Sequence, residues 1–353
     1  MLYQTNNPHG GDVYGEEILL DFSANTNPLG TPPGVLAAVE ESLNQLHRYP
    51  DPYCRRLVSA IAAFEQVPEN WILCGNGAAE LIYSYCAAIG AKRAVELAPT
   101  FSEYAIALER LGCHVSRYFL SRDREFVLDE GFLTFLEQEK PEAVFLCNPN
   151  NPTGQTIPLD LLGEIVKLCG KRSIRLFVDE CFADLSDGKE SLKAQLAENP
   201  HVFLLKAFTK SYGMAGLRLG YCLTADETLL ARMAKSVPPW NVSTPAQVAG
   251  EAALKETAFL EQTRALIQKE RAWLRAQLEA LGLWVCPSKA NYLLFQGPEG
   301  LDTALRRQKI AIRNCDNYHG LAPGWYRIAV RRREENEALM GGIRRVLEEY
   351  SHG

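Results

Sequence analysis

The chain has 353 residues and a mass of 39.3 kDa, enough for about two or three folding units around a large core, which excludes a small scaffold held by disulfides. Its 47% hydrophobic and 23% charged residues are a globular balance, unlike that of a disordered chain. With 37 Lys and Arg against 43 Asp and Glu the formal charge is −6, so nucleic acid and anionic membrane surfaces are repelled overall and any bound anion must be caught by a local site.

The first twelve residues are polar and lack the basic-then-apolar order of a leader, and nowhere does an apolar run reach the roughly eighteen residues of a membrane span. Residues 1–34, with Asn25 to Gly30 and Pro32-Pro33, read as an irregular arm outside the core. From about residue 70 to 225 short apolar runs alternate with amphipathic stretches: 71–74, 94–97, 143–147, 174–178, 201–205 and 217–221. Buried strands separated by helices predict a mostly parallel sheet covered on both faces, an α/β domain. After Pro238-Pro239 a single long helical pattern covers 245–281. Candidate strands at 291–295, 310–313 and 325–330 and a closing helix over 334–350 then predict a smaller α+β unit. The division expected is an arm over 1–34, a large domain over 35–243 and a small domain over 244–353. The ten cysteines include no C-x-x-C pair and several sit in apolar runs, which points to reduced thiols in a cytoplasmic protein and to no metal site. Arg331-Arg-Arg333 is followed by Glu334-Glu335, a solvated face more than a basic patch.

In an open parallel sheet ligands collect at the carboxyl ends of the strands, so the residues after each apolar run carry the functional reading. Gly75-Asn-Gly-Ala-Ala-Glu80 opens a helix after the first run; alone it is ordinary turn chemistry, but free amides at a helix start favour a phosphate. Asn148 to Gly154 is a dense run of turn formers. Asp179 ends an apolar strand, where a buried carboxylate requires a cation; the plainer alternative is a helix cap. Lys210, in Lys206-Ala-Phe-Thr-Lys210, has the small and apolar neighbours that lower a lysine's pKa, although most lysines are merely solvated. A lysine for an imine, an acid for a pyridinium, an amide for a phenolate, and glycine amides with Arg218 for a phosphate together make the set required by pyridoxal 5′-phosphate.

On these motifs, which occur in family order along essentially the whole chain, the sequence resembles the fold type I pyridoxal-phosphate enzymes, a superfamily of class I and II aminotransferases. The branch is that of the histidinol-phosphate aminotransferases and the threonine-phosphate decarboxylases of cobalamin synthesis. The resemblance implies that the large domain binds the cofactor, that Lys210 holds it covalently, and that Asp179 pairs with the ring nitrogen. It also implies that Asn151 donates to the phenolic oxygen, that Phe101 stacks on the ring, and that Gly77, Ala78, Ala79, Thr209 and Arg218 hold the phosphate. Tyr49, in Arg48-Tyr-Pro-Asp-Pro52, matches a tyrosine given to that phosphate by the partner subunit of a homodimer. Arg327 matches the arginine for the substrate carboxylate. Lys206-Ala207 stands where Arg-Ser or Arg-Thr is usual.

Three features favour the decarboxylases. His9-Gly10-Gly-Asp12 with Asp21 to Gly30 resembles their arm, Phe182 replaces the aminotransferase tyrosine, and the segment from Arg313 to Leu321 resembles the one whose arginine meets a substrate phosphate. The expected reaction is loss of carbon dioxide from O-phospho-L-threonine, giving (R)-1-amino-2-propanol O-2-phosphate. Arg327 and Asn151 are expected near the carboxylate, with His9, Gly10, Asn25 and Arg313 around the phosphate or the amino-acid end. The alternative is a histidinol-phosphate or aromatic aminotransferase, and a more remote one a non-catalytic cofactor-binding module.

Overall fold

A computed structural model of the chain describes residues 9–186 and 191–352. The first eight residues of the expected arm lie outside the described residues. In chain order the strands are β1 Leu20–Asp21, β2 Ile72–Asn76, β3 Arg93–Ala98, β4 His114–Phe119, β5 Ala143–Cys147, β6 Arg175–Asp179 and β7 Val202–Ala207. They continue with β8 Leu219–Leu223, β9 Trp284–Val285, β10 Tyr292–Gln296, β11 Ile310–Ala311, β12 Arg313–Asn314 and β13 Trp325–Ala329.

The large sheet has the order β2-β8-β7-β6-β5-β3-β4, and only β8 runs against the others. Its central strands are apolar throughout because helices cover both faces and each side chain is buried whichever way it points. One level of the core shows how this fixes the site. Phe145, Phe177 and Phe203 sit in register on β5, β6 and β7 and stack with centroids 4.8 and 5.1 Å apart. Tyr85, on the helix Gly77–Ile89, packs on Phe203 at 4.3 Å. Each such aromatic pair is worth about 0.5–1.5 kcal/mol beyond its burial, so the helix that starts at Gly77 is seated on the sheet one end of which carries Asp179 and Lys210. The α/β architecture with a mostly parallel sheet is therefore as expected.

The C-terminal part carries an antiparallel sheet of order β12-β13-β10-β9, with the helices Thr257–Ala280 and Arg333–His352 packed together beside it. Three expectations need correction. The arm is not wholly irregular: β1 pairs in parallel with β11 and Phe22 is completely buried in the C-terminal core. The single helix expected over 245–281 is two helices, Thr244–Ala253 and Thr257–Ala280. The first packs on the helix Pro33–Ser42 and the second on the closing helix, and one straight helix cannot face both. The strand expected over 310–313 is likewise split, because β11 pairs with β1 while β12 pairs with β13. All ten cysteines are buried and free, and among the described residues no helix is long and apolar enough to cross a membrane.

Lys206 points away from the strand-end cavity into a buried polar cluster. Its Nζ lies 3.1 Å from Glu65 and 3.5 Å from Asp184, and Glu65 also accepts from Tyr221 at 2.6 Å. Burial alone would lower the Lys206 ammonium, but Asp184, Glu65 and Glu180 outweigh it and hold it above the ordinary lysine range. Asp184 in turn accepts from Ser211, the neighbour of Lys210, at 3.1 Å. Lys206→Met leaves these carboxylates without their buried cation and is expected to destabilise the protein by about 3–5 kcal/mol, read as a fall in the urea midpoint. An unchanged midpoint would contradict the ionised cluster.

Candidate active site

The carboxyl ends of β5, β6 and β7, the start of the helix Gly77–Ile89 and the arm enclose a cavity of about 480 Å³. Lys210 enters it from the short helix Phe208–Ser211 that follows β7. Its amine lies over the Phe182 ring, 5.8 Å from the centroid. Burial first, then the guanidinium groups of Arg327 and Arg218, pull its pKa down to about 8, against the opposing pull of Cys181 and Asp179. A lysine in that range exists partly as the free amine near neutral pH, which is the nucleophilic form.

Asp179, the last residue of β6, also lines the cavity. The Tyr104 hydroxyl donates to its Oδ2 at 2.6 Å and the Cys181 amide to its Oδ1 at 2.9 Å. Burial pushes the carboxyl up, opposed by these bonds and by Lys210, and among the described residues no cation lies within ion-pair distance of it. A buried acid held by two donors and left without a counter-ion is a seat for a protonated ring nitrogen.

The Asn148–Gly154 loop is braced. Asn150 donates to Pro99 O at 3.0 Å and accepts from Thr100 at 2.8 Å, while Tyr292 donates to Asn150 O at 2.9 Å. These bonds fix Asn151 relative to Phe101, and both line the cavity. Arg327, on β13 and only 6% exposed, donates to the Asn151 side-chain oxygen and, at 2.8 Å, to Ser23 O. Its Nε and both polar atoms of the Asn25 side chain are buried without a partner, and no carboxylate of the described residues pairs with Arg327. Arg313 on β12 lies directly opposite Arg327 in the antiparallel register, lines the same cavity and stacks over Tyr318 at 5.3 Å.

At the helix start, Ala78 and Ala79 line the cavity together with Thr209 and Arg218. Gly77 itself does not. It has a φ of +78°, and a Cβ there would come within 2.6 Å of the Arg218 guanidinium, so its role is to let that group approach the helix amides. Ala207 lines the cavity without bringing a hydroxyl. On the arm, His9, Gly10 and Asn25 all reach the wall, and Gly10 passes so close to Ser23 that a Cβ would lie 2.4 Å from its carbonyl oxygen. Tyr49 lies outside the cavity of its own chain, 79% exposed, and stacks on Trp240 at 4.6 Å.

Sequence reasoning missed Tyr104, Glu103, Ser23 and Tyr318. Tyr104, in the first turn of the helix Glu103–Glu109, turns its hydroxyl to Asp179, and its nearness to Phe101 in the sequence was the available signal. Ser23 and Tyr318 face the cavity through the path of the loops that bear them, and Glu103 through the point at which the helix Glu103–Glu109 starts.

The residues present fit pyridoxal 5′-phosphate: a depressed lysine, a buried acid lacking a cation, an aromatic ring, and helix amides beside an arginine surround one space. The class I and II aminotransferase model matches residues 17–343. A threonine-phosphate decarboxylase of Salmonella typhimurium is 37% identical, with 97% of each chain covered. A histidinol-phosphate aminotransferase of Symbiobacterium thermophilum is 32% identical over 94% of this chain and 91% of that one. The crystal structure of the histidinol-phosphate aminotransferase from Clostridium acetobutylicum superimposes with a TM-score of 0.87 at 28% identity, covering 94% of this chain and all of the other. With the cofactor of this site thus identified as pyridoxal 5′-phosphate, the chain belongs to the class I and II aminotransferase family.

Proposed function

We propose that this enzyme decarboxylates O-phospho-L-threonine to (R)-1-amino-2-propanol O-2-phosphate, a step of cobalamin synthesis, as a cytoplasmic homodimer. The observation that carries the reading is the pair Arg313 and Arg327, opposed across one antiparallel ladder and lining one cavity. Like charges so placed repel, and a ligand bearing two anionic groups relieves the repulsion. Phosphothreonine, with a carboxylate and a phosphate on one molecule, is such a ligand; a histidinol-phosphate aminotransferase also needs a phosphate-accepting pocket, and the choice between the two falls to the reaction itself.

In this reading the cofactor, when bound, supplies the electron sink for the pair left behind by the departing carboxylate. Lys210 holds it, Asp179 keeps its ring nitrogen protonated, and Tyr104 and the Cys181 amide hold Asp179 in place. Phe101 covers the ring. The Ala78 and Ala79 amides, the Thr209 hydroxyl and Arg218 bind the phosphate, while Gly77 gives Arg218 its room. Arg327 occupies the Asn151 oxygen, which turns the Asn151 amide nitrogen into the donor for the ring oxygen. Arg327 and Asn151 orient the substrate carboxylate; His9, Gly10, Asn25 and Arg313 receive the substrate phosphate. With the substrate amine in its place, the Lys210 amine would be free to return a proton to the carbon from which carbon dioxide has left.

The homodimer is supported by the exposed apolar and aromatic side chains of Leu36, Leu43, Leu46, Tyr49, Tyr53 and Trp240, of which Tyr49 and Trp240 stack on each other. In that assembly Tyr49 reaches the cofactor phosphate of the partner.

Carbon dioxide release on incubating the holoenzyme with phosphothreonine tests the reading. Amino transfer from histidinol phosphate, with no carbon dioxide from phosphothreonine, would replace it by the aminotransferase. No substrate-induced change in the cofactor's absorbance with either compound would reduce the protein to a binding module. Arg327→Ala is expected to raise KM for phosphothreonine about 10²-fold, the loss of a buried charged contact, with a smaller change in kcat; an unchanged KM would remove Arg327 from the carboxylate.

A further inference from the structure

The arm is tied to two parts of the molecule. Residues 12–21 are held by the C-terminal part: Arg306 binds Glu16 at 3.0 Å and Asp12 O at 3.1 Å, Lys309 binds Glu17 at 2.6 Å, and β1 pairs with β11. His9 instead reaches the large domain, where its Nε2 lies 2.8 Å from Oε1 of Glu103. Glu103 starts the helix Glu103–Glu109 directly after Phe101-Ser102. Its second oxygen accepts from the Tyr83 hydroxyl at 2.7 Å, and Arg110 stacks over the Tyr83 ring at 5.5 Å. The His9 ring also packs on Phe101, centroids 5.6 Å apart, and the neighbouring Gly11 amide is held by Ser23 Oγ at 2.8 Å.

Glu103 lines the cavity, which is a contradiction in a site for a substrate carrying two anions unless the carboxylate is already engaged. It is engaged at both oxygens. The bond to His9, then that from Tyr83 against the opposing effect of burial, hold its carboxyl below the ordinary range, so it stays an ionised acceptor.

We propose that Glu103 is a positioning residue for selectivity, which fixes His9 across the cavity mouth so that the imidazole meets the phosphate of the substrate. The inference deepens the phosphothreonine reading and rests on it. With its two oxygens turned to His9 and Tyr83, Glu103 acts through His9. Its removal therefore costs affinity for the phosphorylated amino acid and leaves affinity for the bare amino acid and the chemical step unchanged.

The test uses the holoenzyme, with carbon dioxide release from phosphothreonine for KM and kcat and competition by L-threonine for the unphosphorylated ligand. In Glu103→Ala, KM for phosphothreonine is expected to rise about tenfold, as for one hydrogen bond to a charged group. Its kcat and the L-threonine inhibition constant stay within about twofold, which is the size of a surface effect. Glu103→Gln, which keeps an acceptor for His9 and a polar partner for Tyr83, restores most of the affinity. Tyr83→Phe raises the same KM about threefold, the lower end for one hydrogen bond, and stands as an independent test should Glu103→Ala not fold. A KM equal to wild type in Glu103→Ala, or an equal loss of affinity for L-threonine, overturns the inference alone. A wild-type enzyme that releases no carbon dioxide overturns the substrate reading and the inference with it.

Discussion

Lys210→Ala is expected to lower turnover by more than about 10³-fold, because it removes both the proposed covalent attachment and the proposed proton carrier. The residue is buried and shares its cavity with Arg218 and Arg327, so the substitution also deletes a charge that those arginines disfavour. Folding is accordingly preserved, and apo-protein stability in urea should match wild type. Steady-state assay of carbon dioxide release, alongside the urea midpoint, separates the two effects. Full activity in the variant would show that another amine carries the cofactor.

Asp179→Asn is expected to lower kcat by about 10²–10³-fold, the scale of losing one preorganised charge at a reacting centre. The Asn oxygen can still accept from the Cys181 amide and the Asn amide nitrogen can donate to the Tyr104 hydroxyl, so both contacts of Asp179 have successors, while the charge proposed to match a protonated ring nitrogen is gone. The cofactor should also dissociate more readily, seen as loss of its absorbance on dilution. Burial of this acid without a cation is unfavourable in the apo-protein, so apo stability should not fall. A variant with wild-type kcat and cofactor retention would mean that Asp179 is only a structural acceptor.

Much of the site could be read from the sequence because its parts sit at the ends of continuous apolar runs. Asp179 ends and Lys210 follows a strand buried on both faces, the loop at Asn148 follows another, and the turn at Gly77 follows the partly exposed edge strand β2. Other parts carry no such marker. The bond between His9 and Glu103 joins residues 94 positions apart, and nothing in either neighbourhood specifies the other. β1 is two residues long, too short for any period to show, yet it places Phe22 in the core and brings Ser23 to Arg327. β4, His-Val-Ser-Arg-Tyr-Phe, lies at the sheet edge, where half-exposure permits a mixed composition that hides a strand. The break at residues 254–256 carries neither Gly nor Pro; it is imposed by the two different surfaces on which the flanking helices pack.

In the proposed mechanism one amine, that of Lys210, holds the cofactor. Borohydride reduction of the holoenzyme followed by peptide mass mapping tests it most directly. A single pyridoxyl group on the peptide containing Lys210 is the predicted result; a pyridoxyl group on any other lysine, or none on a protein that has visibly taken up the cofactor, would contradict it.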